Sequence, residues 1–149
     1  MDVSLRAVLD EDLPLLHAYQ CEPEALAMAA FPSRERAAFD AHWAKIRADA
    51  ANVTRAVVVD GVVAGNVVSW PADGRRLVGY WIGQAYWGRG VATRALAALL
   101  DEVTERPLYA HVAAHNAASV RVLEKCGFVR TGSSTDDGGV EELHLELRA

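Results

Sequence analysis

The stretch from Arg75 to Arg94, RRLVGYWIGQAYWGRGVATR, constrains the fold more than any other part of the chain: an apolar strand pattern runs into a glycine-broken turn and out into a helical pattern. Gly88 and Gly90 flank Arg89 where one pattern gives way to the other. A helix entered through glycines turns unpaired backbone N–H groups, and the positive end of its dipole, toward whatever lies in front of it. Glycine also lets the backbone approach an anion closely, and no Asp or Glu stands between Gln84 and Leu100 to repel one. The turn therefore predicts a phosphate or pyrophosphate site. It is not a P-loop, because no Lys follows Gly90, and it lacks the third glycine of the dinucleotide fingerprint.

The rest of the chain is read as one domain over residues 1–149. With 52% hydrophobic and 23% charged residues it has enough apolar surface for a proper core. A net charge of -5 and a pI near 5.5 argue against a nucleic-acid surface and lean toward a cationic or amine-bearing partner. No run approaches the ~18 consecutive apolar residues of a membrane span. Nor does the chain begin with a basic segment and an apolar run, so a cytoplasmic location is expected and no membrane partner. Cys21 and Cys126 are the only cysteines and form no Cys-x-x-Cys, which predicts two buried free thiols and no metal.

Along the chain, positions 3–8 alternate as a strand, and Asp10-Glu11-Asp12 ahead of Leu13-Pro14 opens a helix to about Gln20. The next helical segment breaks at Pro32 and restarts at Ser33, with Phe39, His42, Trp43 and Ile46 on one face. It reads as a helical lid or wall. Met28, Phe31, Phe39 and Trp43 either line an acceptor pocket there or pack as core.

Two β-branched runs within 54–70 meet at Asp60-Gly61, a two-residue hairpin signal, and Pro71 to Gly74 turns the chain into the opening strand. After the glycine turn, Val91, Ala95, Leu99 and Val103 make a helix that ends before Pro107. Positions 108–113 form a strand, Asn116 caps a helix with Val120, Leu123 and Cys126 inward, and Gly127 closes it. Strands over 128–133 and 140–147 finish a mixed α/β chain.

Trp87-Gly88-Arg89-Gly90-Val91-Ala92 resembles the acetyl-CoA motif of the GNAT acyltransferase superfamily, [QR]-x-x-G-x-[GA], with Trp87 in place of the usual Gln or Arg. That Trp, followed by Asn116-x-x-Ser119 and Leu123-Glu124-Lys125-Cys126-Gly127-Phe128, looks like the RimJ/RimL branch. The resemblance implies a GNAT-like fold, its central, mostly antiparallel sheet splayed between strands 4 and 5. It implies acetyl-CoA as cosubstrate, its pyrophosphate on the N–H groups from Gly88 to Thr93, beside Trp87, Arg89, Val91 and Ala92. The pantetheine would run along Trp81, Ile82 and Gly83, where a bulge opens the strand, and an N–H near Ile82 would face the oxyanion.

The same resemblance assigns Ser119 to the leaving sulfur and Asn116 to the pantetheine, since Leu123 stands where many members carry a Tyr acid. The Glu that often precedes the Gly-Tyr of the fourth strand is Leu77 here, which leaves the base open. His111 ranks first, ahead of His144, Glu141, Glu142 and His42. The activity implied is acetyl transfer to a primary amine, on a peptide N-terminus or a small molecule. The alternative is a CoA-binding sensor or structural subunit with little catalysis. An exposed last strand could also pair with a second copy as a homodimer.

Overall fold

A computed structural model describes residues 1–30 and 32–149. All its strands join one seven-stranded sheet: β1 (Val3–Ala7), β2 (Val53–Val59), β3 (Val62–Ala72), β4 (Arg75–Ile82), β5 (Leu108–Ala113), β6 (Val129–Thr135) and β7 (Glu141–Leu147). The spatial order is β1-β2-β3-β4-β5-β7-β6. Every neighbouring pair is antiparallel except β4 and β5, which are parallel. The helices are α1 (Leu13–Gln20), α2 (Pro23–Ala29), α3 (Arg36–Ala48), α4 (Val91–Glu102) and α5 (Ala117–Lys125).

Strand alternation gives the sheet two faces, and each carries its own core. On one face Val57, Val67, Val78, Leu108 and Leu145 meet Val91, Leu96 and Leu99 of α4 and Val120 and Leu123 of α5. On the other, Ala56 and Val63 meet Leu13 and Leu16 of α1 and Phe39 and Trp43 of α3. Phe39 is fully buried and Trp43 only 2% exposed, so the aromatic stripe of α3 is core and not the wall of an acceptor pocket. Phe31 lies outside the described residues.

The β2–β3 and β3–β4 hairpins use two-residue turns in which each central residue has positive φ, Asp60-Gly61 and Asp73-Gly74. β3 continues through Pro71 to Ala72, so the second turn is tighter than the four residues expected. Pro71 fits because its nitrogen faces the β2 side of the ladder, where pairing ends with Val53 opposite Ser69 and no partner needs an N–H from it. α3 begins at Arg36 rather than Ser33, and α4 stops at Glu102, well before Pro107, where Val103 turns back to bond Leu99 O. α5 ends as expected at Gly127, whose N–H bonds Glu124 O while Phe128 N–H bonds Leu123 O.

The pairing of β4 with β5 is short. It covers only Arg76 with Leu108 and Leu77 with Tyr109, after which the strands part. β4 keeps an unbroken ladder with β3 up to Ile82, and the bulge expected near Trp81 to Gly83 sits instead on β3. There Val57 faces Gly65 but Val58 faces Val63, leaving Ala64 as the extra residue. Arg76 pins the closed end of the split, donating to Ser69 Oγ at 3.2 Å and Ala51 O at 2.8 Å, with Glu105 at 3.4 Å.

Gly65 lets β3 lie against the open end of β4. A Cβ there would sit 2.1 Å from Trp81 O and 2.9 Å from Ile82 Cα, backbone atoms that cannot yield without moving β4. Gly65→Ala should therefore cost about 2 kcal/mol or more in a urea titration. Gly132→Ala on β6, where a Cβ meets nothing within 4 Å, should stay within about 0.5 kcal/mol of the parent. Equal effects of the two changes would contradict this packing.

Candidate active site

Where β4 leaves β5, a cavity of about 420 Å³ crosses the sheet. Tyr80, Ile82, Val91 and Ser119 line it from the face of α4 and α5, while Trp81 of β4 and Ala25 and Met28 of α2 line it from the other. Tyr19 ties α1 to the sheet at the split: Trp81 Nε1 of β4 donates to Tyr19 O at 3.0 Å, and Tyr19 Oη donates to Val63 O of β3 at 2.7 Å. Glu22 takes the Gln84 N–H at 2.9 Å and Glu24 the Gln84 side-chain amide at 2.6 Å. The first helices are thus a fixed wall, with α2 rather than α3 supplying its lining.

The glycine turn closes one end of the cavity. Gly88 and Gly90 have φ of +75° and +77°, the left-handed region that other residues enter only at a cost, and neither is crowded. Gly90 is the N-cap of α4, and Arg94 N–H is the first of that helix to bond, to Gly90 O. The N–H groups of Val91, Ala92 and Thr93 have no hydrogen-bond partner among the described residues, so the helix presents donors and the positive end of its dipole to the cavity.

Gly88, Gly90, Val91, Ala92 and Thr93 all line the cavity, as does Trp87. The Trp87 indole donates to Ile82 O at 2.9 Å, tying the turn to the end of β4. The Arg89 guanidinium lies 5.7 Å from the centroid of the Tyr86 ring and Arg89 is absent from the lining. Gly83 is not in the lining either. It turns toward α1, where a Cβ would strike the Tyr19 ring at 2.5 Å.

At the other end Asn116 caps α5 by accepting the Ser119 N–H at 3.3 Å, which fixes Ser119 one turn into the helix and in the cavity wall. The Ser119 hydroxyl lies 2.6 Å from Tyr80 Oη, and the phenol is also 3.2 Å from Ser119 O. Burial pushes the Tyr80 phenol up to about 12, with the Ser119 bond opposing. Sequence reasoning overlooked Tyr80 as a functional group. The available signal was a phenol between Val78 and Ile82 in the inward-facing row of β4. Leu123, in contrast, is 2% exposed and belongs to the core.

His111 does not line this cavity. It alternates with buried Ala110 and Val112 on β5 and therefore faces the α2 side of the sheet. Its register partner on β7 is His144, and the two rings stack with centroids 4.2 Å apart. Glu142 Oε1 lies 3.4 Å from His111 Nδ1 and 3.7 Å from His144 Nε2, the latter also 3.0 Å from Ser134 Oγ. The donor atoms of the three residues lie within 4.8 Å of one another. Burial, the His144 charge and Arg75 hold the His111 imidazole below its usual range, with Glu142 opposing.

Glu142 also lines a smaller cavity of about 130 Å³, between the end of α2 and the β6–β7 turn. Glu141 has its side chain exposed and contributes its carbonyl to Ala114 N–H. His42, held low by burial, lies on α3 away from both cavities. The exposed Cys21 contradicts the expected burial. The half-buried Cys126 donates toward Thr93 O at 3.7 Å, and burial pushes its thiol up, which disfavours a thiolate.

Residues 2–129 match a family model, the acetyltransferase (GNAT) domain. The chain belongs to that family. No curated protein matches it in sequence. Among solved structures, a spermidine N-acetyltransferase from Vibrio cholerae in complex with CoA and spermine superposes with a TM-score of 0.85 at 19% identity, over 98% of this chain and 95% of that one. An aminoglycoside acetyltransferase, AAC(6')-Ib, in complex with coenzyme A, gives 0.83 at 17%, over 99% and 95%. A GNAT-family acetyltransferase from Bacillus anthracis gives 0.84 at 18%, over 98% and 94%. The mixed α/β GNAT fold, splayed between β4 and β5, is therefore the fold of this chain.

Gly90→Asn should keep the turn, because Asn tolerates the left-handed region, yet it adds a side chain where an anion would rest. CoA affinity measured by calorimetry should fall at least about tenfold, or ~1.4 kcal/mol, with the far-ultraviolet circular dichroism unchanged. Unaltered affinity in the folded variant would contradict placement of the pyrophosphate at this turn.

Proposed function

We propose that this GNAT-family protein is an N-acetyltransferase that moves the acetyl group of acetyl-CoA to a primary amine, by direct attack through a tetrahedral intermediate. The observation that carries the reading is the cavity crossing the split, with a glycine-opened helix on one face and α2 on the other. CoA would enter from the α4–α5 face, its pyrophosphate on the N–H groups from Gly88 to Thr93. The pantetheine would lie along the β4 edge that β5 has left. Gly83 N–H bonds Ala64 O on β3, so alternation turns the backbone groups of Ile82 and Tyr80 toward the split, and the Ile82 N–H would meet the oxyanion there.

The acceptor would arrive from the α2 face. There His111, Glu142 and His144 offer an imidazole held neutral at physiological pH, able to take the amine's proton directly or through a water. His111 is the base in this reading, with Glu142 steadying the imidazolium. Ser119 donates a hydrogen bond to sulfur as the C–S bond breaks, and Asn116 holds Ser119 in place. Both fit the RimJ/RimL branch pattern that Trp87 and the Asn116 to Phe128 segment resemble. The acidic Glu142 and Asp136 beside the smaller cavity, with the net charge of -5, suit a cationic amine, whether small molecule or peptide N-terminus.

The CoA-binding sensor reading draws on Leu77 and Leu123, apolar at the positions where the family pattern often has a Glu and many members a Tyr. It predicts tight CoA binding without amine-dependent turnover. The test is free CoA thiol release from acetyl-CoA over a panel comprising spermine, kanamycin, amino acids and short peptides. At least one amine should raise the rate well above the hydrolysis background, unchanged by EDTA if an imidazole rather than a metal is the base. For that acceptor, kcat should be low in acid and rise with pH through a value below 6.5, because His111 works only when unprotonated and its imidazole is held low. His111→Gln should lose that limb. CoA binding with no amine-dependent release across the panel favours the sensor.

A further inference from the structure

Resting on the acetyltransferase reading, we propose that Tyr80 is a positioning residue for thiolate departure: its phenol holds the Ser119 hydroxyl so that the serine proton points at the leaving sulfur. The geometry is local and specific. Tyr80 Oη and Ser119 Oγ are 2.6 Å apart, and both residues line the cavity that the thioester would occupy. A hydroxyl has one proton, so the pair has two arrangements. In one, Tyr80 donates to Ser119 Oγ, and the serine proton is free to point into the cavity. In the other, Ser119 donates to Tyr80 and the phenol donates to Ser119 O, 3.2 Å away.

The 2.6 Å contact belongs to both arrangements, but only the first makes a relay of aligned donors, each polarising the next. Charge developing on sulfur selects it, because only then does a proton face the sulfur. Burial keeps the phenol protonated throughout the working pH range, so Tyr80 retains a proton to donate to Ser119. Leu123 on the same helix brings no hydroxyl to the sulfur, leaving Ser119 to supply that contact.

The step balances without any further reactant. The amine lone pair forms the C–N bond and its proton passes to His111. Collapse of the tetrahedral intermediate breaks the C–S bond, and the electron pair goes to sulfur. The thiolate accepts the Ser119 hydrogen bond, while Ser119 accepts the one from Tyr80. A free thiol has a pKa near ~8.5, so the thiolate can leave as such and take its proton from water on release. Neither hydroxyl is consumed.

The test is a double-mutant cycle on kcat with the best amine from the panel, chemistry being shown rate-limiting by the absence of a product burst. Ser119→Ala should lower kcat about 10- to 100-fold with acetyl-CoA affinity almost unchanged. Tyr80→Phe, which keeps the ring, should lower kcat about 3- to 10-fold, again with little change in KM for acetyl-CoA. The double variant should be no slower than Ser119→Ala alone, because Tyr80 acts through the serine. A purely structural tyrosine would give additive losses, and the second hydroxyl arrangement would give a Tyr80→Phe enzyme as fast as the parent; either result overturns the proposal.

Should Tyr80→Phe fold poorly, 3,5-difluorotyrosine installed at position 80 keeps the shape while making the phenol more acidic. The alkaline limb of kcat should then move to lower pH, and an unmoved profile overturns the proposal. Lack of wild-type turnover on every amine would strike the acetyltransferase reading itself. Turnover with an unaffected Tyr80→Phe strikes only this inference.

Discussion

Two neighbouring strands stop hydrogen-bonding after Leu77 and Tyr109, and the rest of the molecule is arranged around the backbone groups this leaves unpaired. A buried strand edge without partners is costly, since each orphaned amide forfeits on the order of 1–3 kcal/mol. The protein confines that cost to one place. Below the split, Arg76 ties β3, β4 and the segment after α4 together. Above it, Trp87 caps Ile82 O and Tyr19 of α1 bonds Val63 at the start of β3 and Trp81 at the end of β4. The exposed edge between these anchors is short, and it faces a cavity suited to an extended polar ligand such as pantetheine.

Each functional group is placed by that split. The glycine turn follows the end of β4, so the helix dipole of α4 opens onto the cavity. The crossover through α4 brings β5 back parallel, and the next helix, capped by Asn116, carries Ser119 to Tyr80. Because β5 contributes alternate residues to the two faces, Ala110 and Val112 support α5 while His111 faces α2. In the proposed reaction a donor and an acceptor entering from opposite faces would meet at the sheet, which would keep a large anionic cofactor apart from a cationic amine until both are bound.

Much of this was legible in the residues because it is local. Asp60-Gly61, the Gly88-Arg89-Gly90 turn, the Asn116 cap and Gly127 each specify a backbone conformation within a few positions, and each appears where expected. What escaped was non-local. A stripe of Phe39 and Trp43 reads alike whether it faces a pocket or a core, and only the docking of α3 on α1 and β2 decides it. The bulge on β3 depends on the register of three strands. The stacking of His111 on His144 depends on β7 inserting between β5 and β6, and the Tyr80–Ser119 contact joins residues whose separation along the chain carries no periodic signal.

The central claim is that acetyl-CoA occupies the split by adding to the free edge of β4 and the start of α4. Hydrogen–deuterium exchange with and without acetyl-CoA tests it most directly, because it reads those backbone amides one segment at a time. The account predicts new protection confined chiefly to residues 78–83 and 88–94, with the start of α5 a lesser site and β1 and β6 unchanged. Protection absent from both segments while CoA is bound, or concentrated on α3 and β6, would contradict it.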